Sequence, residues 1–244
     1  MANPLPLAYY DLTETLSEPG CAVCALCVRD VSSFLDSLLY ERVNEPETHL
    51  AFRARRGLCN EHGWQLLDYK GGVVGIAVLY QATLDEALKA LRNASPMEAL
   101  PSSFVRRLGG SGALPGVPMA ERLESTGSCP ACRILGESEA RYVRTFCEHI
   151  GDERLQESYN VSDGLCLPHF RVVLRGVRSA DDLQYIVATQ KDIWDRLKAE
   201  LAEFIDKNDY RRTHESVGPE GDSWRRTIAR MAGEKGLFGV DRHL

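Results

Sequence analysis

Eight positions in this 244-residue chain carry residue types and spacings suited to binding a metal ion. Cys21 with Cys24, and Cys129 with Cys132, form two Cys-x-x-Cys pairs. Cys59 with His62, and Cys166 with His169, form two Cys-x-x-His pairs, each led by Gly-Leu at 57–58 and 164–165. Zn²⁺ takes four tetrahedral ligands drawn from thiolate sulfur and imidazole nitrogen. A Cys-x-x-Cys turn brings two sulfurs to one side of the backbone. Residues three apart at a helix start share a face, so each Cys-x-x-His offers two more donors. Taken half by half, Cys21, Cys24, Cys59 and His62 make one Cys₃His set, and Cys129, Cys132, Cys166 and His169 make another. Four protein ligands leave no open position for water or substrate, the mark of a structural metal. Closing a ~34-residue loop costs a few kcal/mol; structural zinc contributes ~10–16 kcal/mol at neutral pH. Two Zn²⁺ per chain are expected.

Competing chemistries are weaker. A thioredoxin-like redox pair opens a helix after a strand, and no strand pattern precedes either Cys-x-x-Cys. An iron–sulfur cluster is an alternative occupant; Cys21, Cys24 and Cys27 approach the close Cys triad it uses, in the first half alone. Zinc thiolates can also be oxidised, so a redox sensor is an alternative role. Cys27 and Cys147 have Leu or Tyr at the equivalent positions of the other half and read as small buried hydrophobes. His49 and His149 lack counterparts, and His214 and His243 lie in polar terminal segments.

The motifs recur. The Cys-x-x-Cys pairs are offset by 108 positions and the Cys-x-x-His pairs by 107; 34 residues separate Cys24 from Cys59, and 33 separate Cys132 from Cys166. Duplication explains this, each copy being one helical unit. Apolar residues Phe34, Leu35, Leu38, Leu39 and Val43 follow the first pair at helical spacing, and Ile134, Tyr142, Val143, Phe146 and Ile150 follow the second. Longer stripes come next. Val73, Ala77, Tyr80, Leu84, Ala87, Leu88 and Leu91 read as one buried helix face, as do Leu183, Ile186, Ile193, Trp194, Leu197, Leu201 and Phe204, broken only by Gln190. Asp222 or Ser223 can cap a last helix carrying Trp224, Ile228 and Met231, stopped by Gly233. Trp64 and Phe170, just past the metal-binding turns, are expected in the core.

The predicted fold is therefore all-α: two pseudo-repeated units, each stapled by a Cys₃His site at the start of a long helix. The units span 9–94 and 125–210. Between them, 95–124 reads as a linker with a short helix near Phe104 to Leu108; twelve of the residues 95–118 are Pro, Gly or Ser. Residues 211–244 form a tail with a docking helix.

Composition narrows function. A net charge of −6 argues against an electrostatic grip on nucleic acid or anionic lipid. The basic spots Arg53, Arg55, Arg56, Arg211, Arg212, Arg225 and Arg226 read as solvated or internally paired. No apolar run nears the ~18 residues of a membrane helix, and the amino terminus carries no readable secretory signal. Eight cysteines then point to a reducing, cytoplasmic setting in which they bind metal. No phosphate loop, nucleophile elbow or zinc-protease motif is present, so the protein is expected not to be an enzyme.

The tandem pattern, the long helices and the segment Ser223-Trp224-Arg225-Arg226-Thr227-Ile228 together resemble an uncharacterised bacterial family, known as a domain of unknown function. Some of its members carry the label ABC-transporter substrate-binding protein. The resemblance spans about Tyr9 to Gly233 and is most specific at the eight ligand positions. It implies a bacterial or archaeal cytoplasmic protein and supplies no activity. A transport-associated role would come from that label alone. The function expected from the residues is metal-stapled binding of another macromolecule, a protein partner rather than nucleic acid.

Overall fold

The computed structural model describes residues 4–69, 71–92, 116–208, 216 and 218–237, and these are helical, with no strand among them. The helices are α1 (Leu7–Thr15), α2 (Ala22–Tyr40), α3 (Pro46–Arg55), α4 (Asn60–Gln65), α5 (Val73–Arg92), α6 (Val117–Leu123), α7 (Pro130–His149), α8 (Glu153–Val161), α9 (Leu167–Gly176), α10 (Ala180–Lys207) and α11 (Ser223–Ala232), with 3₁₀ turns at Leu66–Asp68 and Pro219–Asp222. The Cys-x-x-Cys pairs open the long helices α2 and α7. The Cys-x-x-His pairs open the short helices α4 and α9.

The compact units do not follow the two halves. One unit comprises residues 1–31 with 134–244, and the other comprises 32–133; both boundaries fall inside helices, α2 and α7. Of the expected linker 95–124, residues 95–115 lie outside the described residues, as does the short helix expected near Phe104. The described remainder contains α6, in which half-buried Met119 and Leu123, four apart, share a face.

In the first unit, Tyr9, Leu12, Leu16, Leu26, Leu135, Tyr142, Phe146, Leu155, Tyr159 and Ile186 form the core. Polar ties at its margin fix the helices. The Tyr9 hydroxyl donates to Asp152, whose carboxylate also caps α8 by accepting from the Arg154 and Leu155 amides. Asp30 accepts from Ser138 at 2.7 Å and from Arg141, which binds α2 to α7. The last helix forms as expected and stops at Gly233 with φ 85°, but Asp222 before it makes no side-chain cap. It packs on α9 and α10. Arg226 pairs with Glu200 and Asp222, so this basic spot is internally neutralised.

The second unit corrects one expectation. Helix α5 buries Gly75, Leu79 and Thr83, whereas Val73, Ala77, Leu84 and Leu91 of the expected core stripe are exposed, Leu84 at 61%. Close approach decides the face. A Cβ on Gly75 would stand 3.0 Å from the Leu39 carbonyl oxygen, and one on Gly72 would stand 2.5 Å from the Leu39 side chain. The small-residue face lets α5 lie against α2, and the bulky aliphatic row turns outward. Trp64, expected in the core, is also 67% exposed; Phe170 is half-buried, edge-on to Trp194 at 5.4 Å.

Candidate metal centres

All eight expected ligands gather into two groups of four, but the groups cross between the halves. Cys21 and Cys24 meet Cys166 and His169 in the first unit; Cys59 and His62 meet Cys129 and Cys132 in the second. The half-by-half sets are thus replaced by sets in which each Cys-x-x-Cys takes the other repeat's Cys-x-x-His.

Local structure places the donors. Cys59 and Cys166 sit just before α4 and α9 with extended backbone, and neither side chain caps its helix, so both sulfurs are free to turn inward. Cys21 and Cys129 immediately precede α2 and α7. The first group therefore collects the amino ends of α2 and α9, whose dipoles favour thiolate. Gly57 and Gly164 adopt φ 96° and 74°, the left-handed region that lets the chain turn sharply into each Cys-x-x-His.

The geometry fits one ion per group. Tetrahedral Zn²⁺, at about 2.3 Å from sulfur and about 2.0 Å from nitrogen, sets edges of about 3.8 Å between sulfurs and about 3.5 Å from sulfur to nitrogen. In the first group, His169 Nδ1 stands 3.5, 3.3 and 3.3 Å from the sulfurs of Cys21, Cys24 and Cys166, and Cys24 and Cys166 are 3.6 Å apart. In the second, His62 Nδ1 stands 3.1, 3.8 and 3.3 Å from Cys59, Cys129 and Cys132, and Cys59 and Cys132 are 3.6 Å apart. These separations far exceed the ~2.05 Å of a disulfide, and the cysteines are unbridged.

Electrostatics agree. Hydrogen bonding from Cys59, followed by that from His62, outweighs burial and pushes the Cys129 thiol down to about 3. Burial opposes a charged His169, yet contacts with Cys166, Cys21 and Glu139 reverse it and hold the imidazole up to about 12. Thiolates and a neutral imidazole are the metal-binding forms of these side chains. A divalent cation bound by either group would displace their protons.

Supporting shells differ. His169 Nε2 faces a Glu139 oxygen at 3.2 Å, the carboxylate–histidine pairing that orients metal-bound imidazole. Fully buried Gln190 accepts from the Leu165 amide at 2.9 Å and the Tyr159 hydroxyl at 2.7 Å, which fixes the turn before Cys166. Asp163 accepts from the Gly20 amide at 2.9 Å and from buried Arg230 at 2.7 Å, tying both motifs of this group to α11. In the second group, the Tyr80 ring lies against Gly57 where Gln190 lies against Gly164. Burial raises the Tyr80 phenol, opposed by a backbone hydrogen bond from Leu58. Arg55 donates to the Gly127 carbonyl and Arg56 to the Arg122 carbonyl at 2.7 Å, holding the end of α3 beside the second Cys-x-x-Cys.

Sequence patterns do not mark Gln190, Glu139, Asp163 and Arg230 as supports. Only Gln190 leaves a signal, as the one polar residue in an apolar stripe. Cys27 is buried and Cys147 half-buried, neither within a group of four. The Cys147 sulfur faces the Val173 carbonyl, and burial pushes the thiol up to about 11. His49 hydrogen-bonds the Val43 carbonyl at 2.8 Å and His149 stacks edge-on to Tyr9. His214 and His243 lie outside the described residues.

Comparison with known proteins agrees in extent. The model of a family of unknown function, DUF6062, matches residues 10–236. An uncharacterized 23.9 kDa protein in the xynA 3′ region of Caldicellulosiruptor sp. (strain Rt8B.4) is 22% identical over 224 residues, covering 91% of this chain and 99% of that protein. No solved structure matches the chain. A family match that begins before the first Cys-x-x-Cys and ends beyond α11 takes in both four-ligand groups, and the chain belongs to the DUF6062 family.

Proposed function

We propose that this protein is a non-enzymatic helical scaffold stapled by two structural Zn²⁺ ions, which acts by binding another protein. The observation that carries the reading is that each group is a closed set of four protein donors, all within 4.8 Å of one another. Such a set fills the coordination sphere of one tetrahedral ion and leaves no position for a substrate. The spacing also favours zinc over an iron–sulfur cluster, because several irons and sulfides would hold their ligands farther apart. Elemental analysis of native protein should find two zinc per chain in a colourless preparation. Iron with visible absorbance, or no metal at all, would overturn the zinc assignment.

Separately from that role, an exposed face of α5 supports self-association. Val74, Ala77, Gln81, Leu84, Leu88 and Leu91 are spaced 3-4-3-4-3, the pattern of a coiled-coil seam. Val74 is 75% exposed, Leu84 61% and Leu91 41%. The occupant that fits is the same helix of a second copy, running antiparallel. Val74 then faces Leu91, Ala77 faces Leu88 and Gln81 faces Leu84, so the whole seam is self-complementary about one twofold axis. Charge selects that direction: Asp85, Glu86, Lys89 and Arg92 all lie in the second half of α5, and antiparallel packing sets them against the uncharged first half. A single helix pair buries less than the ~1,200 Å² of standard interfaces, so the dimer should exchange with monomer. Light scattering should show mass rising with concentration, an effect that Leu84→Glu abolishes and Val161→Glu, on exposed α8 surface, leaves intact. A wild type that stays monomeric up to millimolar concentration would sink the self-pairing.

A further inference from the structure

The two groups are unequal in ways that bear on oxidation. In the first, all four ligands are buried, and none is more than 4% exposed. Its histidine is backed by Glu139, and its turns are fastened by Gln190 and Asp163. In the second, Cys59 and Cys132 are only partly buried, while Cys129 and His62 are covered. His62 Nε2 is buried with no hydrogen-bond partner among the described residues. A metal-bound imidazole without an outer partner is a less basic and less firmly oriented ligand, a deficit typically worth 10–100-fold in affinity.

Thiolate oxidation follows exposure and positive surroundings. The second group has the exposure, and arginines lie along the segment that leads into it. Arg55 and Arg56 are anchored on the carbonyls of Gly127 and Arg122, on the segment leading into Cys129, and Arg133 adjoins Cys132 in sequence. The two partly exposed sulfurs, Cys59 and Cys132, are also neighbours at 3.6 Å. They belong to different motifs, so a bond between them would link the start of α4 to the first turn of α7.

We propose that the second group is a peroxide-sensitive modification site at which Cys59 and Cys132 form a disulfide and release the ion, while the first group is an inert staple. This rests on the zinc reading above. One thiolate attacks a peroxide oxygen, taking it up as a sulfenic acid and expelling hydroxide. The other thiolate then attacks the sulfenic sulfur and displaces a second hydroxide. Two thiolates, one hydrogen peroxide and two protons thus become one disulfide and two waters. The ion, left with Cys129 and His62, dissociates. A dithiol reductant returns both thiolates and allows zinc to rebind.

The test uses the full chain carrying two zinc, treated with hydrogen peroxide beside a chromogenic zinc indicator, with peptide mapping at intervals. One equivalent of zinc should leave at least tenfold faster than the other. The first cross-linked peptide should join Cys59 to Cys132, and dithiothreitol with added zinc should restore both. Equal release rates, earlier release from the first group, or a first disulfide within Cys129-x-x-Cys132 would each overturn the proposal. If the protein proves to hold no zinc, the metal assignment fails separately. The identity of the first disulfide in the metal-free chain then decides the pairing.

Discussion

Replacing Cys166 with serine should expose Cys21 and Cys24 to alkylation while Cys59, Cys129 and Cys132 stay protected. The prediction follows from the crossed grouping, in which Cys166 completes the set begun by the first Cys-x-x-Cys. Had each half closed on itself, the same substitution would instead bare Cys129 and Cys132. The zinc content should fall from two to one. The energetic effect is large because a structural zinc contributes ~10–16 kcal/mol, comparable to the ~5–15 kcal/mol of a whole folded domain. Amide exchange should therefore quicken across α8, α9 and α10, helices that lie wholly within the first unit. Mass spectrometry after brief iodoacetamide treatment reads the pattern directly. Selective labelling of Cys129 and Cys132 would refute the crossed arrangement.

The second large effect is expected from Gln190→Leu. The substitution keeps the apolar stripe of α10 and improves its hydrophobicity, so pattern alone predicts stabilisation. The structure predicts the reverse. Gln190 is fully buried, and its carbonyl oxygen receives both the Leu165 amide and the Tyr159 hydroxyl. Removing it strands two buried donors at about 1–3 kcal/mol each, or roughly 2–6 kcal/mol together and about 4–24 °C in Tm. The Leu165 amide lies one residue before Cys166, so zinc affinity of the first group should also fall, by about 10–100-fold. Calorimetry with chelator competition measures both. An unchanged Tm with unchanged affinity would show that Gln190 merely fills space.

Much of the site was legible in the primary sequence because metal ligation is chemically narrow. Cysteine and histidine at spacings of three, repeated in register, suit little besides a metal ion, and all eight residues do gather. The helical class and the Gly233 stop of α11 were legible for local reasons, since periodicity acts over one or two turns; the expected side-chain cap is not made, because Asp222 pairs with Arg226 instead. The supporting shell was not. Glu139, Asp163 and Arg230 are ordinary charged residues until α7, the 162–166 turn and α11 are brought to one place. The arginines of 53–56 read as solvated or internally paired, and Arg55 and Arg56 do bind backbone carbonyls within the second unit.

Helix α5 shows where periodicity misleads. Its aliphatic stripe is real, but a stripe says only that one face is apolar, not that the protein's own core covers it. Gly72 and Gly75 supply a face that approaches α2 more closely than Val73 or Val74 could. The covered side carries Gly75 and Thr83 beside Leu79, and Val73, Val74, Leu84 and Leu91 are left on the surface.

By itself, then, the sequence determined the donor residues, their number and the helix starts that present them, because each is settled within a few residues of chain. The tertiary structure alone decided which Cys-x-x-Cys meets which Cys-x-x-His. Pairing within a half closes about 35 residues, whereas the observed contact of Cys24 with Cys166 spans 142 and that of Cys59 with Cys132 spans 73. Two doublings of loop length cost only roughly 1.2 kcal/mol, small beside the binding of an ion. Chain entropy therefore barely distinguishes the two arrangements. The choice falls to the packing of α1, α8 and α10 around the first group, and of α3 and α5 beside the second, which no local pattern encodes.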